Sequence, residues 1–327
     1  MPFTYVVRRS KGQYKRPMRD APGRSRVGAV RDFSRFFPRA LGAVLLLVAA
    51  PLAVASRPMG HSDGVARVTY GGETGQHLPL ALTVSSDGRR VERMATAWMA
   101  SCDDPRIGVG LFMTLTGGSA PLRSQQHRLT GGELAPDGTF SATSTGVDRT
   151  GPRVTSTVNQ TVTGRLAGTE ASGTWRADVE LVDRASGELI TECSTGALRW
   201  RAPDPQRLYY AGYTSQQAPV TIQLPPGRHR IARFRTLAKV SCSDGDVFSA
   251  GRPFKKLAIE RGRFAGDFTR RTNNSRGGTD LESYTLRGRL AKDRASGTFR
   301  YTQVSRDRKK RLLYRCQSPL VRWQANQ

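Results

Sequence analysis

From Tyr70 onward the chain alternates apolar and polar residues at period two, interrupted every few positions by clusters of Gly, Asp, Ser and Pro. That rhythm turns one side of an extended strand toward a core and the other toward water. One run puts Ala232, Phe234, Thr236, Ala238, Val240 and Cys242 on one face and Arg233, Arg235 and Lys239 on the other. Met94, Thr96, Trp98, Ala100 and Cys102 repeat it, with Glu92 as a polar misfit at the start. Trp175, Ala177, Val179 and Leu181 form a third inward row, with Arg176, Asp178 and Glu180 outward. Turn signals such as Ser86-Asp87-Gly88 and Pro136-Asp137-Gly138 separate the rows. No stretch sustains a helical period. The chain reads as all-β, with about seven or eight short antiparallel strands to a module, in a sandwich or a small barrel.

The module is present twice. Gly164-Arg165-Leu166-Ala167, three variable residues and Ala171-Ser172-Gly173-Thr174-Trp175-Arg176 return as Gly288-Arg289-Leu290-Ala291 and Ala295-Ser296-Gly297-Thr298-Phe299-Arg300. Tyr70-x-Gly72-x-Thr74-x-Gln76 pairs with Tyr210-x-Gly212-x-Thr214-x-Gln216, Gly138-x-Phe140 with Gly262-x-Phe264, and Cys193-x6-Trp200-x-Ala202 with Cys316-x6-Trp323-x-Ala325. The copies run gap-free to Asp104 and Asp244, then change register. This places an insertion in the first copy around Gly108 to Arg123, with Val109 to Leu115 as an extra strand or hairpin. Within the repeated stretch, Gly164 and Gly288 read as a strand end or bulge and Ala-Ser-Gly as a tight turn. Arg165, Arg176, Arg289 and Arg300 read as a solvated face, with an anion clamp as the alternative.

The organisation that follows is module 1 at residues 66–202, a linker at 203–206 and module 2 at 207–327. A short linker, 56–65, precedes them. Residues 1–55 have the pattern of an export signal: a basic start, an apolar run over residues 40–55 that is short for a membrane span, and a small-x-small site at Ala53-Val54-Ala55. Cleavage there releases a secreted protein, and retention leaves a signal anchor with the modules outside. Either Met1 or Met18 serves as a start.

Charge separates the copies. The whole chain carries a formal +26, but residues 66–202 hold 14 Lys/Arg against 14 Asp/Glu, whereas residues 207–327 hold 26 against 8. An Arg-rich genome bias does not explain an asymmetry between two copies. The densest run is Arg306-Asp307-Arg308-Lys309-Lys310-Arg311, where module 1 has the ordinary hairpin tip Asp183 to Glu188. Lys255, Lys256, Arg270 and Arg271 join it as candidate anion-binding residues. Such clusters support salt-sensitive attachment to an anionic surface polymer or lipid headgroups. Aromatic residues are not interleaved with them, so sequence-specific nucleic-acid binding is not expected.

Catalytic chemistry is hard to find. None of His61, His77, His127 and His229 is matched by a histidine in the other copy. His61-Ser62-Asp63 are adjacent residues on a linker, which cannot hold a nucleophile, base and orienter in geometry. Asp103-Asp104 lacks the spaced ligands of a calcium loop. No phosphate loop, serine elbow or zinc motif is present, so neither an enzyme nor a cofactor is expected. The four cysteines, Cys102, Cys193, Cys242 and Cys316, allow three connectivities, and duplication creates directly only the pairing within each module, Cys102 with Cys193 and Cys242 with Cys316.

On the paired motifs above and Ser-Cys-x-Asp, residues 66–326 resemble a group of tandem β-repeat proteins exported by high-GC bacteria, a group without an assigned function. The resemblance implies an extracellular β module and supplies no active-site residue. The function expected is therefore attachment of module 2 to anionic material at a cell surface. The alternative is carriage of an apolar ligand among Met94, Trp98 and Trp175 in the module interior.

Overall fold

A computed structural model describes residues 68–105, 107–117, 126–150, 153–168, 170–202, 209–227, 229–274 and 276–327. The export segment, His61-Ser62-Asp63 and both linkers lie outside the described residues. Among the described residues none is helical.

Module 1 contains β1 (Thr69–Thr74), β2 (Pro79–Val84), β3 (Val91–Cys102), β4 (Gly108–Thr116), β5 (Gln126–Arg128), β6 (Thr130–Gly131), β7 (Thr139–Thr150), β8 (Val154–Ala167), β9 (Glu170–Asp183), β10 (Leu189–Ser194) and β11 (Leu198–Ala202). Module 2 contains β12 (Tyr209–Thr214), β13 (Pro219–Gln223), β14 (Arg230–Arg235), β15 (Leu237–Cys242), β16 (Val247–Gly251), β17 (Phe254–Ala258), β18 (Arg263–Asn273), β19 (Thr279–Leu290), β20 (Arg294–Arg306), β21 (Leu312–Gln317) and β22 (Val321–Asn326). Each copy thus forms an 11-stranded sheet, more strands than the turn signals suggest. Two of the extra ones in module 1 are pieces of two and three residues that alternation cannot register.

In module 1 the path runs β3-β2-β1-β11-β9, and β10 pairs with both β9 and β3, which closes the ring. Module 2 closes the same way through β21, between β20 and β15. A ring of strands is the barrel-like solution of the two that alternation allowed. Each ring holds its own core, around Trp98, Trp175 and Trp200 in one and around Phe234, Phe299 and Trp323 in the other. All four indole N–H groups lie buried without an acceptor, so these rings serve as apolar volume.

The inward rows read from the sequence are present: Trp175, Ala177, Val179 and Leu181 are all at most 2% exposed. Glu92 is not an inward defect. The pairing of β2 with β3 shifts register between Thr83/Arg93 and Val84/Val91, so Glu92 is the extra residue of a β-bulge and Val91 takes the inward position. Ala232 occupies the equivalent place in β14, half-buried while Ile231 and Phe234 are buried.

The disulfides are Cys102–Cys193 and Cys242–Cys316, one in each module. Each joins residues directly opposite one another at the point where β10 or β21 closes the ring.

Two expectations are corrected. Val109 to Leu115 is not inserted. It lies in β4, which pairs Ala97 with Phe112 as β15 and β16 pair Leu237 with Gly251, and Arg93 with Thr116 as β14 and β17 pair Arg233 with Lys255. The strand therefore has a counterpart, split into β16 and β17. Its residues share too little identity to reveal it. The added segment follows β4, between Gly117 and Gly132, and contains β5 and β6. The second correction concerns the repeated motif: Ala171-Ser172-Gly173 is not a turn but lies in the first residues of β9, paired with Leu166, Arg165 and Gly164 of β8.

That motif makes sense as packing. Gly164 lies opposite Gly173 across β8 and β9, and Gly288 opposite Gly297 across β19 and β20. A Cβ on Gly164 would meet the rings of Phe140 and Trp200 at 2.6 Å, and one on Gly288 would meet Phe264 at 2.2 Å. Gly-x-Phe, Gly-Arg-Leu-Ala, Ala-Ser-Gly and Cys-x6-Trp are thus one device, a bare patch of paired glycines on which two aromatic rings lie. The opening motif is equally local. Gln76 Nε2 donates to the Met99 carbonyl and its Oε1 accepts the Met99 N–H, each at 2.8 Å, and Gln216 does the same with Lys239. These side chains satisfy the backbone of the long strand beyond the end of β2 or β13.

The modules meet through a shared apolar cluster of Leu78, Ala97, Phe112, Ala218 and Leu237. Leu78 and Ala218 are equivalent positions, as are Ala97 and Leu237 and, through the pairings above, Phe112 and Gly251. Large residues on one copy face small ones on the other.

Candidate functional site

The cationic turn of module 2 joins β20 to β21. Asp307 folds it: its carboxylate accepts the Arg311 N–H at 2.9 Å and Nε at 2.8 Å, and its own N–H donates to the Arg311 carbonyl. Burial works to raise the Asp307 carboxyl, and the bonds from Arg311 outweigh it, holding the group below the usual carboxylate range. In module 1 the matching fold-former is Asp183, whose Oδ1 accepts the N–H groups of Ala185 and Ser186. Asp183 therefore registers with Asp307 rather than with Arg306.

Arg306, Arg308, Lys309, Lys310 and Arg311 share this turn, and all but one of their charges lack a carboxylate partner among the described residues. Arg308 lies against the next hairpin, close enough that a Cβ on Gly277 would meet its Nε at 2.1 Å. Arg271, exposed near the end of β18, belongs to that same hairpin. Arg270 is half-buried and sits across from Glu282. The structure does not bring Lys255 and Lys256 into this group. They lie exposed on β17, where Lys255 pairs with Arg233 of β14.

Arg270 also marks a second difference between the copies. Its equivalent in β7 is Gly146, and the His127 ring of the added β5 lies on that glycine, 2.2 Å from where a Cβ would stand. His127 is 4% exposed, with Nε2 3.1 Å from Asp148 Oδ2. Among the described residues of module 2 no strand corresponds to β5, and near Arg270 the Arg252 guanidinium lies 3.0 Å from the centre of the Phe268 ring. Among the described residues no group of three His, Cys, Asp or Glu is placed to hold a metal ion. The interior residues Met94, Trp98 and Trp175 are packed core, none more than 1% exposed.

The seam between the modules holds polar chemistry that composition does not reveal. Glu73 of β1 reaches across to Arg235, which is in hydrogen-bond contact, and lies 3.7 Å from Arg233. Burial works to raise the Glu73 carboxyl, but Arg235 and His77 together hold it below its ordinary value. The equivalent position in module 2 is Tyr213, whose ring carries the Arg93 guanidinium 3.5 Å from its centre. The Tyr213 hydroxyl lies 2.9 Å from Thr83 Oγ1, and burial pushes the phenol up. Two cavities flank the seam, about 730 Å³ on the Tyr213 side and about 540 Å³ on the Glu73 side. Sequence reasoning missed these residues because they occupy the variable places of the motif, Glu73 against Tyr213 and Gly71 against Ala211. The signal was a difference between copies at otherwise matched positions.

Fold and site define a protein with two ring-closed, disulfide-bonded β modules, the cations being concentrated in the second of them. No family model and no curated protein matches the chain. Among solved structures, a "putative outer membrane protein" from Bacteroides fragilis NCTC 9343 aligns at 8% identity over 80% of this chain and 97% of its own, with a TM-score of 0.20. A score that low carries no argument about this chain.

Proposed function

We propose that this is a non-catalytic protein of the cell envelope or exterior, which attaches to anionic surface material through the Arg306–Arg311 turn of module 2. The observation that supports the reading is the contrast between two equivalent turns. Each is folded by one aspartate, yet one bears mixed charge and the other five cations around a single carboxylate. An Asp-folded turn needs no such charge to form, so the cations are surplus to folding. Clustered exposed cations attract anionic polymers and headgroups in a salt-dependent manner. Nothing among the described residues favours the apolar carrier.

The test uses the full chain and its R308S/K309S/K310S variant, with polyphosphate and with vesicles of anionic or zwitterionic lipid, over a salt series. The parent should bind an anionic probe at low salt and lose it as salt rises, and the variant should bind at least about tenfold more weakly, as expected for three surface charges near an anionic surface. Binding unchanged in the variant would sink the reading. Polyphosphate and anionic vesicles distinguish polymer from headgroup as the source of charge.

A further inference from the structure

We infer that the outer face of β18 to β21 is a track for a linear polymer that carries a phosphate in each repeat. Strand pairing sets Arg263 opposite Arg289 and aligns Arg271 with Leu281, Val304 and Arg315 across the four strands. Arg300 lies between these two rows, on the exposed side of β20. Alternation turns all of these arginines away from the core rings of Phe264, Tyr284 and Phe299. Arg306 is on the same side of β20, where the cationic turn begins, so track and turn are continuous. It pairs with Thr279, and Arg289 lies ten residues further along β19, about 33 Å at the rise of an extended strand. Asp267 is the one carboxylate on this face among the described residues, and Arg287 holds both its oxygens at 2.9 Å. None of Arg263, Arg271, Arg289, Arg300 and Arg315 is paired with a carboxylate among the described residues.

The same face of module 1 is balanced. Arg176, the equivalent of Arg300, donates to Asp178 Oδ2 at 2.8 Å, and module 2 has Thr302 in place of that aspartate. Glu192 stands where module 2 has Arg315, and Thr139 where it has Arg263. Module 2 has thus lost acids and gained cations at matched exposed positions, none of which the shared core requires. One gain is unfavourable on its own, because Arg263 directly opposite Arg289 is a like-charge pair. A phosphate between the two guanidinium forks relieves that repulsion. Thr269, Ser283 and Thr302 line up across the strands between the arginine rows and add hydroxyl donors for chain oxygens. Forks spread along one line suit a chain that repeats its charge, whereas a single headgroup needs only the turn. The inference rests on the reading of module 2 as the part that attaches to anionic material, and extends the contact from the turn to the sheet.

Titration of the full chain with long-chain polyphosphate, tripolyphosphate and anionic lipid vesicles over a salt series tests it. Long-chain polyphosphate should bind at least about tenfold more tightly per phosphate than tripolyphosphate, which is too short to follow the track. R271S/R289S/R300S should weaken the long chain at least about tenfold and lower the steepness of its log–log salt dependence by about 2, as three lost phosphate contacts at about 0.7 each give. R230S/K255S/K256S removes the same charge from β14 and β17 and should leave binding within about threefold of the parent. The proposal is overturned if the parent does not bind long-chain polyphosphate, if tripolyphosphate binds as tightly, if the face variant binds as the parent does, or if the β14 and β17 variant loses as much. Vesicle binding that falls in the face variant as far as polymer binding does would make the occupant a membrane, and overturns it too. Loss in R308S/K309S/K310S with the face variant unchanged leaves the turn standing without the track, and the reverse leaves the track without the turn.

Discussion

The turn at Asp183 and the turn at Asp307 close the same connection between equivalent strands, each with a carboxylate accepting backbone N–H groups. Both also close with a bond from the aspartate N–H to the carbonyl of Glu188 or Arg311, and they part in the charge they carry. The same division runs through the molecule. Glutamine clamps, glycine pairs, aromatic rings and disulfides are present in both modules, and each makes its contacts inside its own module. The residues that differ, Glu73 against Tyr213, Arg235 against Ala95 and Glu188 against Arg311, face the seam or the solvent. Two copies of a fold therefore act as an internal control: what both retain is needed to fold, and what only one has is available for something else.

The strongest way to break that comparison is to remove a shared element from one copy at a time. Replacing both cysteines of either module by serine opens a loop of 91 or 74 residues, and the chain-entropy account puts the loss at about 4 to 5 kcal/mol in each case. Denaturant unfolding should show near-equal losses, and a module that tolerates the change would contradict an equal structural role. Next comes the glycine pair. A Cβ on Gly173 would stand 1.9 Å from the Thr163 carbonyl oxygen, and on Gly297 2.0 Å from that of Arg287, so Gly173→Ala and Gly297→Ala should each cost about 3 kcal/mol through forced backbone shifts. Comparable midpoint shifts in the two variants support the shared device, and an effect in one alone would count against it.

Smaller effects sharpen the contrast. Gln76→Ala and Gln216→Ala each strip two hydrogen bonds from a half-buried strand, for about 1 to 3 kcal/mol apiece, measurable as faster amide exchange at Met99 and Lys239. The smallest effect belongs to one copy only. Glu73 has a folded pKa below its unfolded value, so its contribution is fully present above the unfolded carboxylate range and is lost as pH falls through the folded one. With 41% of the side chain exposed, solvent screening keeps that contribution under about 1 kcal/mol. A pH titration of stability should therefore show a small acid-side loss that Glu73→Gln abolishes and that Tyr213→Phe leaves in place.

Much of the architecture was readable in advance because period two is a physical consequence of the strand, and a duplicated cysteine spacing is a consequence of duplication. Where the reading slipped, the residues carried no periodic signal. Gly164 and Gly173 look like turn formers in a string of letters, and only their pairing shows that they make room for Phe140 and Trp200. Glu92 looked like an error in a row because a bulge changes phase without changing composition. The insertion was misplaced since β4 and its split counterpart β16 and β17 conserve pairing and not identity. The basic turn could be found from charge alone, but the separation of Lys255 and Lys256 from it depends on strand order. The seam was out of reach, because alternation tells which face is buried and never against what.

The apolar cluster at the seam carries a further consequence. Leu78 and Phe112 belong to one copy, and their equivalents Ala218 and Gly251 to the other, while Leu237 answers Ala97 in the opposite sense. Two first copies brought face to face would crowd Leu78 and Phe112 against their own duplicates, and two second copies would leave a hollow where those side chains belong. Each module is thus keyed to the other kind and not to its own, which discourages like modules from pairing and makes the pair, rather than the single repeat, the unit that can be inherited or transplanted.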